Sequence, residues 1–497
     1  MSLLGLDIGT TGCKALAFSE EGNRLAQSYR EYRSAGSIHE INPEEVWQCV
    51  QVVLGSITSQ CAGDPPKALA VSSFGESVIP LDERGRVLHD SILYTDPRGA
   101  CQCEHLSQAL GSAQIMGSTG LKPHPMYSVC KIGWYRDSLP DVFRRAKRYM
   151  MFEDFILWKL GAEPTIDYSL ASRTMAFNVT KLQWDEQILE ASGIEAGQFS
   201  RAVRSGTAAG TIAGEVADAL SLPRNLLLVT GGHDQVCAAV GAGVLREGMA
   251  IDGTGTVECI APIFFSPVLE ETFLNNNFAC VPHAVPGAYA TYAFNFTGGS
   301  LLKWYRDNFA RAEAAQAALS DRSAYDLLNE QAASTPTDLL VIPHFAGSGT
   351  PQMDPFARGA ILGMRFENDA GTVYRALMEG VTYEMAYNLE ALAGNGIHVR
   401  ELRAVGGGAK SNLWLQIKAD VTGCRILSLG VEEAGVAGAA MLAGVAAGVY
   451  RTLDEAAPAF VRVRREIEPD PRNHGIYRQN FARYKEARTR ISDLYGR

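Results

Sequence analysis

The chain has 497 residues, 46% hydrophobic and 20% charged, with a net charge of −10. It is long enough for two large domains or about three average ones, too balanced for a disordered chain, and lacks the basic stripe of a general nucleic-acid binder. Glycine is the one excess: 49 residues, about one in ten against a usual share of about 7%, with no Gly-X-Y period and no Gly/Ser linker.

The start, MSLLGLDIGTTG, has no basic stretch ahead of an apolar run, so a secretory signal is not expected. Residues 3–8, 14–18 and 25–29 are short apolar runs split by glycine-bearing turns, which predicts antiparallel hairpins. Residues 43–54, PEEVWQCVQVVL, follow Asn42 and open on Pro43, a helix start. Residues 68–73 and 78–81 are strand-like. Strands followed by helices, repeated, indicate an α/β protein. Cys101, Cys103 and His105 have no second ligand pair nearby, so no metal is assigned there. The ten cysteines form no disulfide framework and read as reduced thiols of a cytoplasmic protein. Residues 434–450 are rich in Ala and Gly, and read as a buried helix with a small-residue packing face rather than a membrane span.

The chain echoes itself. Asp7-Ile8-Gly9-Thr10-Thr11-Gly12 returns almost half the chain later as Asp252-Gly253-Thr254-Gly255-Thr256, each between two apolar runs. Two related domains facing each other would produce this, with a boundary near residue 245. Glycine lets such a turn approach a ligand closely, and successive N–H groups form an anion-binding nest. Two nests across a cleft would hold a polyphosphate, with Lys14 adding positive charge; ordinary hairpin turns have the same composition.

Gly231-Gly232-His233-Asp234-Gln235 joins a strand-like run to a helical one. Asp234 there is either a general base or a helix N-cap, and the residues alone do not choose. Gly406-Gly407-Gly408 follows another strand-like run and would set bare backbone against a nucleoside. It is no Walker loop, because Ala409 stands where a glycine is needed. No strand leads into G-x-G-x-x-G, and HExxH and G-x-S-x-G are absent from the sequence.

The ordered set LDIGTTGCK, GGHDQ, DGTGT, GGSLLKW and VGGGAKSNLWLQIKADVTG resembles the FGGY family of carbohydrate kinases, and YSVCKIGW, PHFAGSGTPQMDPFARGAILG and EGVTYEMAYNLEAL extend the likeness over almost the whole chain. The resemblance implies two actin/hexokinase/Hsp70-like (ribonuclease H-like) α/β domains around a central ATP/sugar cleft. Residues 1–245 would carry the sugar site, the first phosphate loop and the catalytic base, and residues 246–497 the nucleotide domain. It implies ATP and Mg²⁺ as cofactors. Asp7 would hold hydrated Mg²⁺; Gly9, Thr10, Thr11 and Lys14 would meet the terminal phosphates; and Thr254 and Gly255 would grip phosphate from the other side. Gly298, Gly299, Gly407, Gly408 and Asn412 would line the nucleotide pocket, and Asp234 would be the base. A small sugar or polyol is the implied partner, with no nucleic acid and no membrane, and a homodimer is an assembly such proteins often form.

For the substrate, Ser73-Phe74-Gly75-Glu76-Ser77 lies where xylulokinase-like members carry a G-Q-M-H-G type sequence. Glu76 replaces their His and matches the Glu of the Arg-Glu pair in glycerol kinases, but Gly75 replaces the Arg, and Met126 stands at their substrate-contacting Tyr. Tyr94-Thr95-Asp96-Pro97-Arg98 resembles a W-N-D-x-R segment, which makes Asp96 and Arg98 candidate contacts. A carboxylate at Glu76 suits vicinal hydroxyls and would repel gluconate unless Arg98 offsets it. The expected substrate is therefore a neutral ketose such as D-xylulose. Ribulose, erythritol or glycerol, or a non-catalytic ATP-binding sugar sensor on the same fold, are the alternatives.

Overall fold

The computed structural model describes residues 2–33, 39–61 and 63–495. Its first half opens with β1 (Ser2–Ile8), β2 (Gly12–Phe18) and β3 (Arg24–Glu31), the expected meander. Helix α1 (Pro43–Gln60) follows, six residues longer than its apolar pattern suggested. Asn42 caps it by accepting from the Glu44 and Glu45 N–H groups, and Val46, Val50, Val53 and Ile57 form the buried stripe that the 3.6-residue period requires. The elements that matter for the site come next: β4 (Pro66–Ser73), α2 (Ser128–Ser138), α3 (Phe152–Leu160), α4 (Tyr168–Ser172), β5 (Ala208–Thr211), β6 (Leu227–His233) and α5 (Asp234–Gly241). The sheet runs in the order β5-β6-β4-β1-β2-β3, with β1, β4 and β6 mutually parallel.

The second half repeats the plan with β7 (Met249–Thr254), β8 (Glu258–Phe264), β9 (Ala293–Asn295), α6 (Gly299–Phe309), β10 (Glu401–Gly406), α7 (Asn412–Thr422), β11 (Arg425–Leu429), α8 (Ala434–Ala446) and β12 (Val463–Ile467). Its strands run β8-β7-β10-β11-β12, with β9 on β8. Again a hairpin's first strand is followed by two parallel strands, and an antiparallel strand closes that side. The echo of the two Asp-Gly-Thr turns is thus the visible part of a repeated sheet.

Residues 242–248 join α5 to β7, and packing crosses this junction in both directions. Helix α8, from the second half of the sequence, lies against β1, β4 and β6 of the first sheet and against α5. Ala239, Ala242 and Val244 at the end of α5 pack with Ile251, Ala261 and Leu427 of the second sheet. The two helices meet at Gly241 and Gly438, where an added Cβ would stand 1.9 Å from Ala434 O and Cys237 O respectively. Only glycine permits that approach. No helix among the described residues is long and apolar enough to cross a membrane.

Candidate active site

Strand β1 delivers Asp7 to the turn at residues 9–11, which Gly9 closes by donating its N–H to Gly12 O at 2.9 Å. The Asp7 Oδ1 accepts from Ser72 Oγ of the neighbouring β4 at 2.7 Å. Burial, opposed by that hydrogen bond and reinforced by the charges of Asp234 and Glu433, pushes the carboxyl up to about 7. Thr10 is half-buried and Thr11 exposed at the tip. Lys14 is already engaged: its Nζ lies 2.5 Å from Glu433 Oε1, ahead of α8, and 5.5 Å from the centre of the Tyr29 ring. Among the described residues no group of three or more His, Cys, Asp and Glu is placed to hold a metal by itself. Asp7, Asp234 and Glu433 against the single Lys14 nevertheless leave negative charge here, which suits a divalent cation carried in with a polyphosphate.

Asp234 is the first residue of α5, one place beyond its N-cap, His233. Its Oδ1 accepts from the Gln235 N–H at 2.6 Å, so it serves the helix end, yet 38% of its side chain remains open. Burial pushes its carboxyl up to about 6, against the pull of the Gln235 N–H and Arg173. Beside it, burial draws the His233 imidazole down to about 4, and the ring stacks on Tyr292 at 5.3 Å.

Glu76 is nearly fully buried and sits at φ +64°, a backbone region non-glycine residues seldom adopt. Arg173, just beyond α4, donates to Glu76 Oε1 from Nε at 2.6 Å and from Nη2 at 2.5 Å. The guanidinium lies near the rings of Tyr127 and Tyr292, 5.2 and 5.6 Å from their centres, and its Nη1 has no hydrogen-bond partner among the described residues. Gly75 makes room for it: an added Cβ would be 3.0 Å from Arg173 Cγ. Burial, then the charges of Glu76 and Asp234, raise the Tyr94 phenol, which places that ring near both carboxylates.

Asp96 and Arg98 are engaged elsewhere. Arg98 donates to both Asp96 oxygens at 2.8 and 2.9 Å and to Glu40 Oε1 at 2.6 Å, while Lys131 of α2 donates to the carbonyls of both residues. Arg98 therefore spends its charge on two carboxylates. The offset of Glu76 left open for Arg98 comes from Arg173, which sequence reasoning missed because it lies 97 residues from Glu76.

In the second half a cavity of about 630 Å³ is lined by Thr254, Gly255, Gly299, Gly407 and Gly408, together with Tyr325, Lys410 and Trp414. Gly298 and Asn412 lie one residue outside the lining, next to Gly299 and Ser411. Ser300 Oγ and Asn329 Oδ1, also on the lining, make no hydrogen bond among the described residues, which fits a cavity that takes a polar ligand. Thr254 offers its backbone more than its hydroxyl, which accepts from the buried Lys418 Nζ at 2.6 Å.

The models of the N-terminal and C-terminal domains of the FGGY family of carbohydrate kinases match residues 2–241 and 249–447. A xylulose kinase of Staphylococcus epidermidis is 26% identical over 99% of this chain and 98% of its own. A gluconokinase of Bacillus subtilis is 30% identical over 91% of this chain and 89% of its own. The crystal structure of a xylulose kinase from Rhodospirillum rubrum superposes with a TM-score of 0.90 at 24% identity, covering 100% of both chains.

Proposed function

The chain belongs to the FGGY family of carbohydrate kinases, with that family's actin/hexokinase-like two-domain fold, and on that premise we propose that it transfers the γ-phosphoryl group of ATP to a hydroxyl of a neutral sugar or polyol, D-xylulose being the first candidate. The observation that carries this is the position of Asp234. A Cβ added at Gly435 would stand 3.8 Å from Asp234 O and 3.9 Å from Asp7 Oδ1, and one added at Gly75, next to Glu76, would stand 3.0 Å from both Arg173 and the His233 ring that precedes Asp234. A sugar held at Glu76 and a triphosphate held at the Asp7 turn would meet there.

Asp234 takes the proton of the attacking hydroxyl as that oxygen forms its bond to Pγ; the bond from Pγ to the bridging oxygen breaks, and ADP leaves with those electrons. At about 6 the carboxyl is ionised at neutral pH yet basic enough to accept the proton. Turnover rises with pH through that value. Mg²⁺, when bound with ATP beside Asp7, neutralises phosphate charge. Glu76 accepts from sugar hydroxyls, and Arg173 offers its unpartnered Nη1 to a sugar oxygen. Because Glu76 and Arg173 cancel while Asp7 and Asp234 do not, the site favours an uncharged substrate. The backbone and cavity of the second half receive the nucleotide in a cytoplasmic enzyme.

The test is ADP release across ketopentoses, ketohexoses, linear polyols and aldonates, with Asp234→Asn alongside. A neutral ketose or polyol is expected to give the highest kcat/KM, and the variant to lose about three orders of magnitude in kcat. A clear preference for gluconate overturns the neutral-substrate reading. Wild-type turnover by Asp234→Asn overturns the base.

A further inference from the structure

Strand β6 does not run cleanly into Asp234. Its parallel register with β4 breaks between Thr230, opposite Val71, and Gly232, opposite Ser72, so Gly231 is an extra, unpaired residue. Such a bulge re-aims whatever follows it. Its backbone N–H groups are taken up by side chains from two helical segments. Gly231 N donates to Glu153 Oε1 of α3 at 2.8 Å, and His233 N donates to Ser169 Oγ of α4 at 2.8 Å. Gly231 itself has no room for a side chain, since an added Cβ would stand 2.2 Å from Val71 O, and Gly232 lies at φ +157° with Ser169 Oγ 3.0 Å from where its Cβ would be.

The acceptors are themselves oriented. Glu153 Oε2 accepts from Asp167 N at 3.0 Å. Asp167 Oδ2 accepts from Ser169 Oγ at 2.7 Å, which turns that hydroxyl's lone pairs toward His233 N–H, and also from Ser205 Oγ at 2.7 Å. Glu153, Asp167 and Ser169 are completely buried. Two carboxylates this deep cost folding energy unless every oxygen is used, and here all four oxygens accept from named donors.

We infer that Glu153, Asp167 and Ser169 form a positioning relay that fixes the Gly231–His233 bulge and so aims the Asp234 carboxylate at the attacking hydroxyl. None of the three touches substrate. They act on turnover through the backbone that carries the base, and the inference rests on the reading of Asp234 as that base.

Ser169→Ala, Glu153→Gln and Ser205→Ala, each in the full chain, separate positioning from mere stability. Ser205→Ala removes a bond to Asp167 but no hydrogen bond to residues 231–233, so it is expected to lower Tm and leave kcat within two-fold. Ser169→Ala removes the acceptor of His233 N–H. It is expected to cut kcat about 10- to 100-fold, with sugar KM and the Kd for ADP nearly unchanged, and to move the acidic limb of the kcat profile. Glu153→Gln keeps one acceptor but sets an NH₂ against the other backbone N–H, of Asp167 or Gly231, and is expected to fall between the two. The relay is overturned if Ser169→Ala or, should that variant not fold, Glu153→Gln keeps wild-type kcat and acidic limb, or loses no more turnover than Ser205→Ala. If Asp234→Asn itself retains turnover, the base reading fails, and the relay falls with it for that separate reason.

Discussion

The two Asp-Gly-Thr turns occupy equivalent places in equivalent sheets, yet spend their aspartates differently. Among the described residues, the Asp7 carboxylate accepts from the Ser72 hydroxyl and stands near the Asp234 and Glu433 carboxylates. Asp252 is completely buried, and Lys418 Nζ reaches it at 2.7 Å, together with Glu258 Oε1 at 2.6 Å and the Thr254 hydroxyl at 2.6 Å. One turn keeps an anion for chemistry. The other converts its anion into a buried strut and shows the cleft only backbone. On the proposed function, the duplicated loop is divided between a reacting half and a holding half.

Asp7→Asn tests the reacting half and should have the largest effect: a loss of about 10³ in kcat/KM, the scale of a removed electrostatic contact at a phosphoryl-transfer site. Stability should move the other way. The folded carboxyl sits at about 7 against 3.8 when free, so its ionisation opposes folding between those values. The variant should match wild type near pH 4 and be more stable than wild type near pH 8, as read by denaturant midpoints. A variant that keeps its turnover would show that the two turns do not differ as described.

Lys418→Met tests the holding half. It leaves Asp252 and Glu258 buried without a cation, which costs about 3–5 kcal/mol by denaturant titration. Adding Asp252→Asn should return part of that loss, because the two changes are coupled through one contact. If the double variant is no more stable than Lys418→Met alone, the strut is not a charge pair in any energetic sense.

The Glu76–Arg173 pair lies between these extremes, buried like the strut but bordering the cleft like Asp7. Glu76→Gln should raise the sugar KM about 10-fold or more, since a hydrogen bond to a charged group carries about 1.5–3 kcal/mol, and should leave the ATP KM nearly unchanged. Equal loss on both substrates would move the pair from the sugar site to the scaffold.

What could be read from the sequence follows the range of the interaction. The first hairpins and the Asn42 helix cap are set within a few residues, and they lie where the pattern placed them. Arg173 and Lys418 were invisible because each meets its carboxylate across the fold, Lys418 at a separation of 166 residues. Arg98 was legible as a cation but not as a neutralised one, because Glu40 reaches it from 58 residues away. The glycine excess likewise divides. Gly255, Gly299, Gly407 and Gly408 border the cavity of the second half, while Gly241 and Gly438 serve the crossing of α5 and α8.

The lysines give the smallest and sharpest test. Each turn has one cation, Lys14 on the first and Lys418 on the second, and each cation already has a carboxylate partner. They differ in exposure: the Lys14 side chain is 31% open and its partner Glu433 37%, whereas Lys418 is sealed. A half-exposed pair contributes about 0–1 kcal/mol, so Lys14→Met should barely shift the denaturant midpoint. If Lys14 stays with Glu433 when ATP binds, the ATP KM should rise only about 2- to 5-fold. A rise of 100-fold would mean that the pair opens and the ammonium moves to the phosphates. The first turn would then differ from the second not only in where its anion points but in having a cation that is free to change partners.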